Sequence, residues 1–366
     1  MSRHRFHSLC PYFAVFPETF AAHWIEKLTS PGDIVLDPFS GRGTTAFQAL
    51  LMDRNAIASD INPVAYCITR AKTQAPGNKS DILQRIQRLS KAFEPVDWEA
   101  ERRQLPHFFH TAYSASTLRQ VLYLRSRLKW RDSTTDAFIA AVALSALHGE
   151  SDRGINYFSN QMPRTIATKP AYSVRFWKER QKIAPRRDVF AVTRRLVDYR
   201  YETPPPTRKA FVVQSDMRRL VELCPISRHN VRLVITSPPY LDMTRYVEDQ
   251  WLRLWFLGGK PHPVYRDHGR DDRPTNQKGW WRFMAQAWRT IGEMLRRPGH
   301  AVFRLGGKNL PVRDIRDGLF AASRESGRKC ELREMHVSEI SRRQTQAFRP
   351  NSLGCIFEVD CSFYVT

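Results

Sequence analysis

The stretch Ile34-Val35-Leu36-Asp37-Pro38-Phe39-Ser40-Gly41-Arg42-Gly43-Thr44-Thr45 decides the fold. A short apolar run closed by an acid reads as a buried strand of a parallel sheet. Gly41 and Gly43 let the backbone pass close to a ligand and turn into a helix, Ala46 to Met52, whose first amides are open donors. A second strand, Ala56-Ile57-Ala58-Ser59-Asp60, again ends on an acid. Strand, glycine turn, helix and strand together make a βαβ unit of about 30 residues, the size of half a nucleotide-binding fold. Ahead of it, Phe20, Trp24, Ile25 and Leu28 recur at helical spacing, and Ser30-Pro31-Gly32 stops that helix.

A second apolar run, Val231 to Ile235, ends in Thr236-Ser237-Pro238-Pro239-Tyr240. A polar residue, two prolines and an aromatic at a strand's end build a rigid pocket for a flat polar ring. Other strand-like runs lie at Phe211 to Gln214, His300 to Leu305 and Cys355 to Val365, with helical patterns at Val247 to Leu257 and Trp280 to Leu295. This alternation predicts an α/β fold with a mostly parallel sheet covered on both faces, its last strands forming an antiparallel edge.

Between the two halves the character changes. From about residue 76 the segments are long, basic and helix-like: Leu118 to Trp130 carries leucines with arginines between them, and Asp136 to Leu147 is almost wholly apolar. Pro204-Pro205-Pro206 closes the region as a stiff linker. The expected organisation is therefore a split α/β domain, 1–75 and 210–366, around a helical basic insertion at 76–209 that is a candidate target-recognition region.

The net charge of +22 favours a polyanionic partner, nucleic acid first. No apolar stretch approaches the ~20 residues of a membrane span, and Met1 to Tyr12 lacks the apolar core of a signal peptide. The six cysteines form no CxxC pair and no cluster with zinc spacing, so reduced thiols, no metal and a cytoplasmic location are expected.

Asp37, Asp60 and Asp216 all sit where ligands of such sheets bind, outside the carboxyl ends of strands. Asp60 is placed to accept two ribose hydroxyls; Asp216 suits a cofactor's adenine or an ordinary helix cap equally well. The loop lacks the Gly-Lys-Ser/Thr of a phosphate-gripping loop, which argues against ATP. In the insertion, Asn156 to Arg164 mixes amides, aromatics and arginine, a composition that suits base-edge contacts or a buried loop. Arg245 and Tyr246 are candidates for guiding a nucleic-acid strand, while Tyr246, Trp251 and Trp255 are equally well read as core. His262 and His268 read as loop residues.

The segments Asp37 to Thr45 and Thr236 to Tyr240 together resemble the S-adenosylmethionine-dependent DNA methyltransferases that modify exocyclic amines, a family with a DPFxGxGT cofactor loop and a [D/N/S]PP[Y/F/W] catalytic loop. The segment His7 to Phe20 looks like the family's motif that helps cover the cofactor. The resemblance spans roughly 7–73 and 210–310. It implies a Rossmann-like methyltransferase fold and S-adenosylmethionine as cofactor. The implied cofactor residues are Phe16, Pro17, Glu18, Asp37, Pro38, Phe39, Ser40, Gly41, Gly43, Thr44, Thr45, Asp60, Ile61, Asn62 and Asp216. It also implies DNA as substrate, with the Ser237 hydroxyl and Pro238 carbonyl accepting hydrogen bonds from the target amine, Pro239 stiffening the loop and Tyr240 stacking on a base rotated out of the helix. Such acceptors favour the pyramidal amine and stabilise the positive charge that develops on it.

Ser at position 237 is typical of members that make N4-methylcytosine, so cytosine is the expected target, with N6 of adenine or an RNA base as alternatives. A restriction endonuclease acting on the same site is a possible partner. The cofactor loop precedes the catalytic loop here, a permuted order relative to members that carry this loop style near their C-terminus.

Overall fold

The computed structural model describes residues 3–12, 16–241, 246–264, 276–307, 310–340 and 355–366. Two compact units emerge: one of 1–13, 70–207 and 245–266, the other of 14–69, 208–244 and 267–366. The expected division falls after residues 75 and 209; the observed units change over at 69/70 and 207/208, and the first also takes in 1–13 and 245–266.

The second unit holds one seven-stranded sheet. Its strands are β1 (Ile34–Asp37), β2 (Asn55–Ser59), β3 (Phe211–Val213), β4 (Val231–Thr236), β5 (Leu295–Gly307), β6 (Cys330–Glu339) and β7 (Phe357–Val365). They lie in the order β3-β2-β1-β4-β5-β7-β6. The first five in that order run parallel, while β7 is antiparallel to both of its neighbours. Successive side chains point to opposite faces of a strand, so each central strand feeds two cores. Val35, Leu233, Ile235 and Val302 pack under the helices Glu18–Leu28 and Thr44–Leu51. Leu36, Val234, Ala301 and Phe303 pack under the helix Gln277–Met294 and Ile315 and Leu319. Burial on both faces is what makes these strands read as largely apolar runs, interrupted in β4 by the partly buried Arg232.

The α/β class, the mostly parallel sheet and the helix-rich insertion are as expected. Three details differ. Strand β6 escapes a reading of the sequence because it is an edge strand, with most of Met335 to Glu339 exposed, and carries no apolar run. The antiparallel strand is β7, which lies between β5 and β6 and not at the rim. The segment Val247 to Leu257 is two short helices, Tyr246–Asp249 and Trp251–Phe256, broken at the buried Gln250.

The first unit is helical. Its centre is the helix Thr134–Ala146, buried along nearly its whole length and capped by the Ser133 hydroxyl, which accepts from the Asp136 amide. The helix at Leu118 runs from Ala115 to Arg127, earlier than expected, because the Ser114 side chain caps it by accepting from the Thr117 amide. Arg253 is fully buried here. Its guanidinium donates to the carbonyls of Leu144, Arg164 and Thr165 and to the Gln250 side chain.

In the second unit, Gly292 sits in the helix Gln277–Met294 where an added Cβ would stand 2.2 Å from the carbonyl oxygen of Ser326. Backbone on one side and a packed core on the other leave no room to shift. Gly292→Ala is expected to destabilise the fold by about 2–3 kcal/mol, read as a lower Cm at unchanged m in urea, even though alanine is the better helix former.

Candidate active site

Strands β1 and β4 are neighbours, and the chain leaves them in opposite directions: toward β2 and β3 from one, toward β5 from the other. This is the topological switch point, where the crevice of an open α/β sheet forms outside the carboxyl ends of the strands. Both motifs end there. Asp37 closes β1, Thr236 closes β4, and the Thr236 hydroxyl donates to Asp37 Oδ1 at 2.7 Å.

The glycine loop is built around this junction. Ser40 N donates to the Ser59 carbonyl at 2.9 Å, which ties the loop to the end of β2. Gly41 and Gly43 have φ of 50° and 71°, in the left-handed region that side chains disfavour. A Cβ on Gly43 would also meet the Thr69 side chain at 2.8 Å. Thr69 in turn donates to the Gly41 carbonyl at 3.0 Å. From Gly43 the chain enters the helix Thr44–Leu51, with Thr44 and Thr45 buried in its first turn. Pro38 is buried, and the Phe39 ring lies 5.5 Å from that of Phe283. The Ser40 hydroxyl is buried and has no hydrogen-bond partner among the described residues. An orphaned hydroxyl beside a glycine turn and a helix N-terminus suits a polar ligand that would satisfy it.

Asp60 lies one residue past β2. Its Oδ2 accepts from Gly41 N and its Oδ1 from Asn62 N, both at 2.9 Å. A carboxylate oxygen accepts up to two such bonds, so this arrangement is compatible with ribose hydroxyls as further donors. Asn62 caps the helix Pro63–Thr73 through its Oδ1, which accepts from Val64 N, and Ile61 is half exposed beside it. Asp216 caps the turn Met217–Arg219, and Arg218 grips both of its carboxylate oxygens at 2.8 and 2.6 Å. Of its two sequence readings, the cap is the one seen in the contacts.

On the N-terminal side, Pro17 precedes the helix Glu18–Leu28, Glu18 lies in its first turn, and the Phe16 ring packs edge-on against Phe20 at 4.9 Å. Phe20 in turn carries the Arg304 guanidinium 3.9 Å above its ring. Arg304 is held by Asp360 at 2.7 Å and Glu358 at 3.3 Å. This buried ion cluster across β5 and β7 is invisible in sequence, because its members are far apart and only the strand register unites them.

The catalytic-loop candidate is held at several points. The Ser237 hydroxyl donates to the Tyr240 hydroxyl at 3.1 Å. The indole of Trp280 donates to the Pro239 carbonyl at 2.8 Å. Gly306 lies so close to the Tyr240 ring and the Cys355 sulfur that a Cβ there would stand 2.3 and 2.1 Å from them. Trp280, Gly306 and Thr236 are site residues to which sequence reasoning assigns no role. In sequence Trp280 is one of several apolar positions on a helix, and nothing in its spacing shows that its indole N–H holds the loop.

In the insertion, Asn156 to Arg164 has two sequence readings, base-edge contacts or a buried loop; Phe158, Ser159, Asn160 and Met162 are buried, in keeping with the second, while Asn156 and Arg164 are exposed. Trp251 and Trp255 are core. Arg245, His268 and the side chain of Tyr246 lie outside the described residues.

Burial pushes the Asp37 carboxyl up to about 7, with Asp60 adding to the rise and bonds from Thr236, Thr45 and Phe39 N opposing it. In an unfolded chain the same carboxyl titrates near its ordinary value of 3.8. The folded state therefore binds the proton more tightly, and stability falls as pH rises from about 4 to about 7, then levels off. The full difference is on the order of 4 kcal/mol. Asp37→Asn, which keeps the shape and loses the charge, should melt higher than the parent protein at pH 8, with the gap closing toward pH 4. A gap independent of pH would show that Asp37 is not the titrating group. Trp280→Phe keeps the ring and loses the donor to Pro239; it is expected to cost about 1 kcal/mol of stability by denaturant titration.

Residues 2–70 match the family model described as DNA methylase of the N6/N4 type. Over 68 residues the chain is 35% identical to the type II methyltransferase M.MjaII of Methanocaldococcus jannaschii, covering 19% of this chain and 13% of that protein. Over 54 residues it is 46% identical to the orphan methyltransferase M.BamHII of Bacillus amyloliquefaciens, covering 15% of this chain and 20% of that one. The chain thus spans a fifth or less of the curated relatives it matches. An rRNA methyltransferase of Streptomyces viridochromogenes superposes on 100% of this chain and 90% of its own at 12% identity, with a TM-score of 0.36. The fold assignment rests on the strand order itself. The matched segment contains Asp37, the glycine loop and Asp60, and over this part the chain is similar to the N6/N4 DNA methylase family and to the two methyltransferases.

Proposed function

We propose that this protein transfers a methyl group from S-adenosylmethionine to the exocyclic N4 amine of a cytosine in DNA. The observation that carries the reading is the bond between Thr236 and Asp37, which fastens the start of the Ser-Pro-Pro-Tyr loop to the tip of the strand that opens the glycine loop. A methyl donor on one loop and an acceptor on the other then share one crevice.

When bound, S-adenosylmethionine supplies an electrophilic methyl group on a sulfonium. The glycine loop and Ser40 would take its polar groups, Asp60 its ribose, and Asp37 its cationic amino group. The chain's own work is on the amine. A cytosine amine is a poor nucleophile because its lone pair is delocalised into the ring. Ser237, whose proton is directed to Tyr240, presents lone pairs to the amine hydrogens, and the Pro238 carbonyl presents a second acceptor. Together they stabilise the charge that develops at nitrogen. The Tyr240 ring gives the extruded base a stacking surface, which offsets the few kcal/mol needed to unstack it. The net charge of +22 supports a nucleic-acid substrate. A restriction endonuclease acting on the same site is part of the proposal; the name of the B. amyloliquefaciens relative, an orphan methyltransferase, favours a solitary enzyme.

The test is nucleoside analysis of unmethylated DNA incubated with the purified chain and S-adenosylmethionine. N4-methylcytosine is the expected product; N6-methyladenine as the main species would overturn the choice of base and leave amine methylation standing. Ser237→Ala should lower kcat by about 10²-fold or more. Tyr240→Phe keeps the stacking ring and removes the hydroxyl that receives the Ser237 proton, so kcat should fall by about tenfold while the KM for DNA stays near that of the parent.

A further inference from the structure

The helix Pro170–Glu179, in the first unit, has one face buried and one face that no described residue covers. Ser173 and Trp177 point inward, and the Trp177 indole donates to the Gln161 carbonyl at 2.9 Å. On the other side Tyr172, Arg175, Phe176 and Arg180 follow at the i, i+3, i+4, i+8 spacing of a single face. Their rings and guanidinium groups are already ordered as a stack. Tyr172 and Phe176 are 6.2 Å apart with planes 30° from parallel. Arg180 lies 4.0 Å from the Phe176 centroid and Arg175 6.0 Å from that of Tyr172. Tyr172 is 51% exposed, a large ring left half in water. The surroundings are strongly basic, with seven lysines and arginines and a single acid, Glu179, over residues 169–187. Glu179 sits 3.9 Å from Arg175 and 3.5 Å from Arg180. Both are solvent-exposed pairs of the kind that contribute little and exchange readily for a stronger anion.

Rings interleaved with guanidinium groups on a basic surface combine the two elements that hold single-stranded nucleic acid: faces on which unpaired bases stack, and cations that follow the phosphates. Resting on the reading above that this chain acts on nucleic acid, we propose that the outer face of the helix Pro170–Glu179 is a docking strip for an unpaired stretch of DNA. Arg175 and Arg180 take its phosphates, and Tyr172 extends the existing stack by one base. A continuous duplex offers phosphates but no free base face, so Tyr172 distinguishes the two forms.

The test is fluorescence anisotropy of labelled single-stranded and duplex oligonucleotides with the full chain, from 50 to 300 mM salt. Tyr172→Ala should weaken single-strand binding by about tenfold and duplex binding by less than twofold. Arg175→Gln with Arg180→Gln should make the log–log salt dependence for the single strand shallower by about 1.4, since each phosphate contact contributes about 0.7. Glu179→Gln should tighten binding, because it removes the competing anion. The altered side chains lie on the outer face of the helix, and melting curves matching the parent protein confirm that folding is intact. Equal losses on both forms with Tyr172→Ala, or variants that bind as the parent does while it methylates DNA, would overturn the docking strip and leave the proposed activity untouched. Stronger effects on single-stranded RNA than on DNA would overturn the choice of partner. A parent chain that binds no DNA in either form would overturn the proposed DNA substrate itself.

Discussion

Asp37 is a carboxylate taken out of water at the one place in the sheet where two strand tips diverge. Burial alone would make it costly. What makes the position tenable is a set of donors aimed at it: the Thr236 hydroxyl from β4, the Phe39 amide from its own loop and the Thr45 hydroxyl from the helix that follows. Each belongs to a different piece of the site, so satisfying one buried group fixes three segments at once. The catalytic-loop candidate inherits its starting point from this arrangement, because Ser237 directly follows Thr236. Trp280 then fixes the carbonyl two residues on, and Gly306 limits where the Tyr240 ring can lie. Destabilising chemistry kept at the site is offset by ordinary packing around it, as is common where ionisable groups are put to use.

The central strands are legible in the sequence because burial on both faces leaves mostly apolar residues to read, Arg232 being the one charged residue within Val231 to Ile235. Val231 to Ile235 and Ile34 to Leu36 need no periodicity. The loops are legible for a different reason: glycines permit the positive φ that a tight turn needs, and prolines after a strand narrow the backbone to few conformations. What sequence cannot supply is anything depending on register. Arg304 meets Asp360 only because β5 and β7 pair antiparallel with those residues opposite each other. Strand β6 is half solvated and so resembles a polar loop. Trp280 looks like any other core tryptophan until the helix is placed beside Pro239. In the insertion, amides and aromatics from Asn156 to Arg164 suit contacts to bases or a buried loop, and sequence cannot choose; Phe158 to Asn160 and Met162 are inside, where polar groups serve the fold. Asn160 shows the point: its side-chain amide donates to the Thr111 carbonyl at 3.0 Å.

The buried Arg253 illustrates how a basic chain manages charge internally. No carboxylate is among the acceptors of its guanidinium described above; carbonyl dipoles and one amide surround it. Four neutral acceptors can solvate a guanidinium adequately while demanding a fixed geometry. Leu144, Arg164 and Thr165 are thereby gathered around one side chain on the short helix Trp251–Phe256. His148, fully buried nearby, is kept neutral by burial first and by the Arg253 charge second, with its basicity depressed to about 3.

The strand order also has a consequence in time. Strand β6 is made before β7, yet β7 is the strand it pairs with, and β7 is itself needed between β6 and β5. A chain emerging from the ribosome can therefore build the β3-β2-β1-β4-β5 platform while β6 waits, its backbone groups unpaired and Met335 and Val337 without the neighbouring strand. During that interval the nascent protein presents two adhesive edges, the far side of β5 and the whole of β6. Pairing of Phe357–Val365 covers the far side of β5 and one side of β6 in one step, like the slider of a zip fastener, and leaves the other side of β6 as the rim of the sheet.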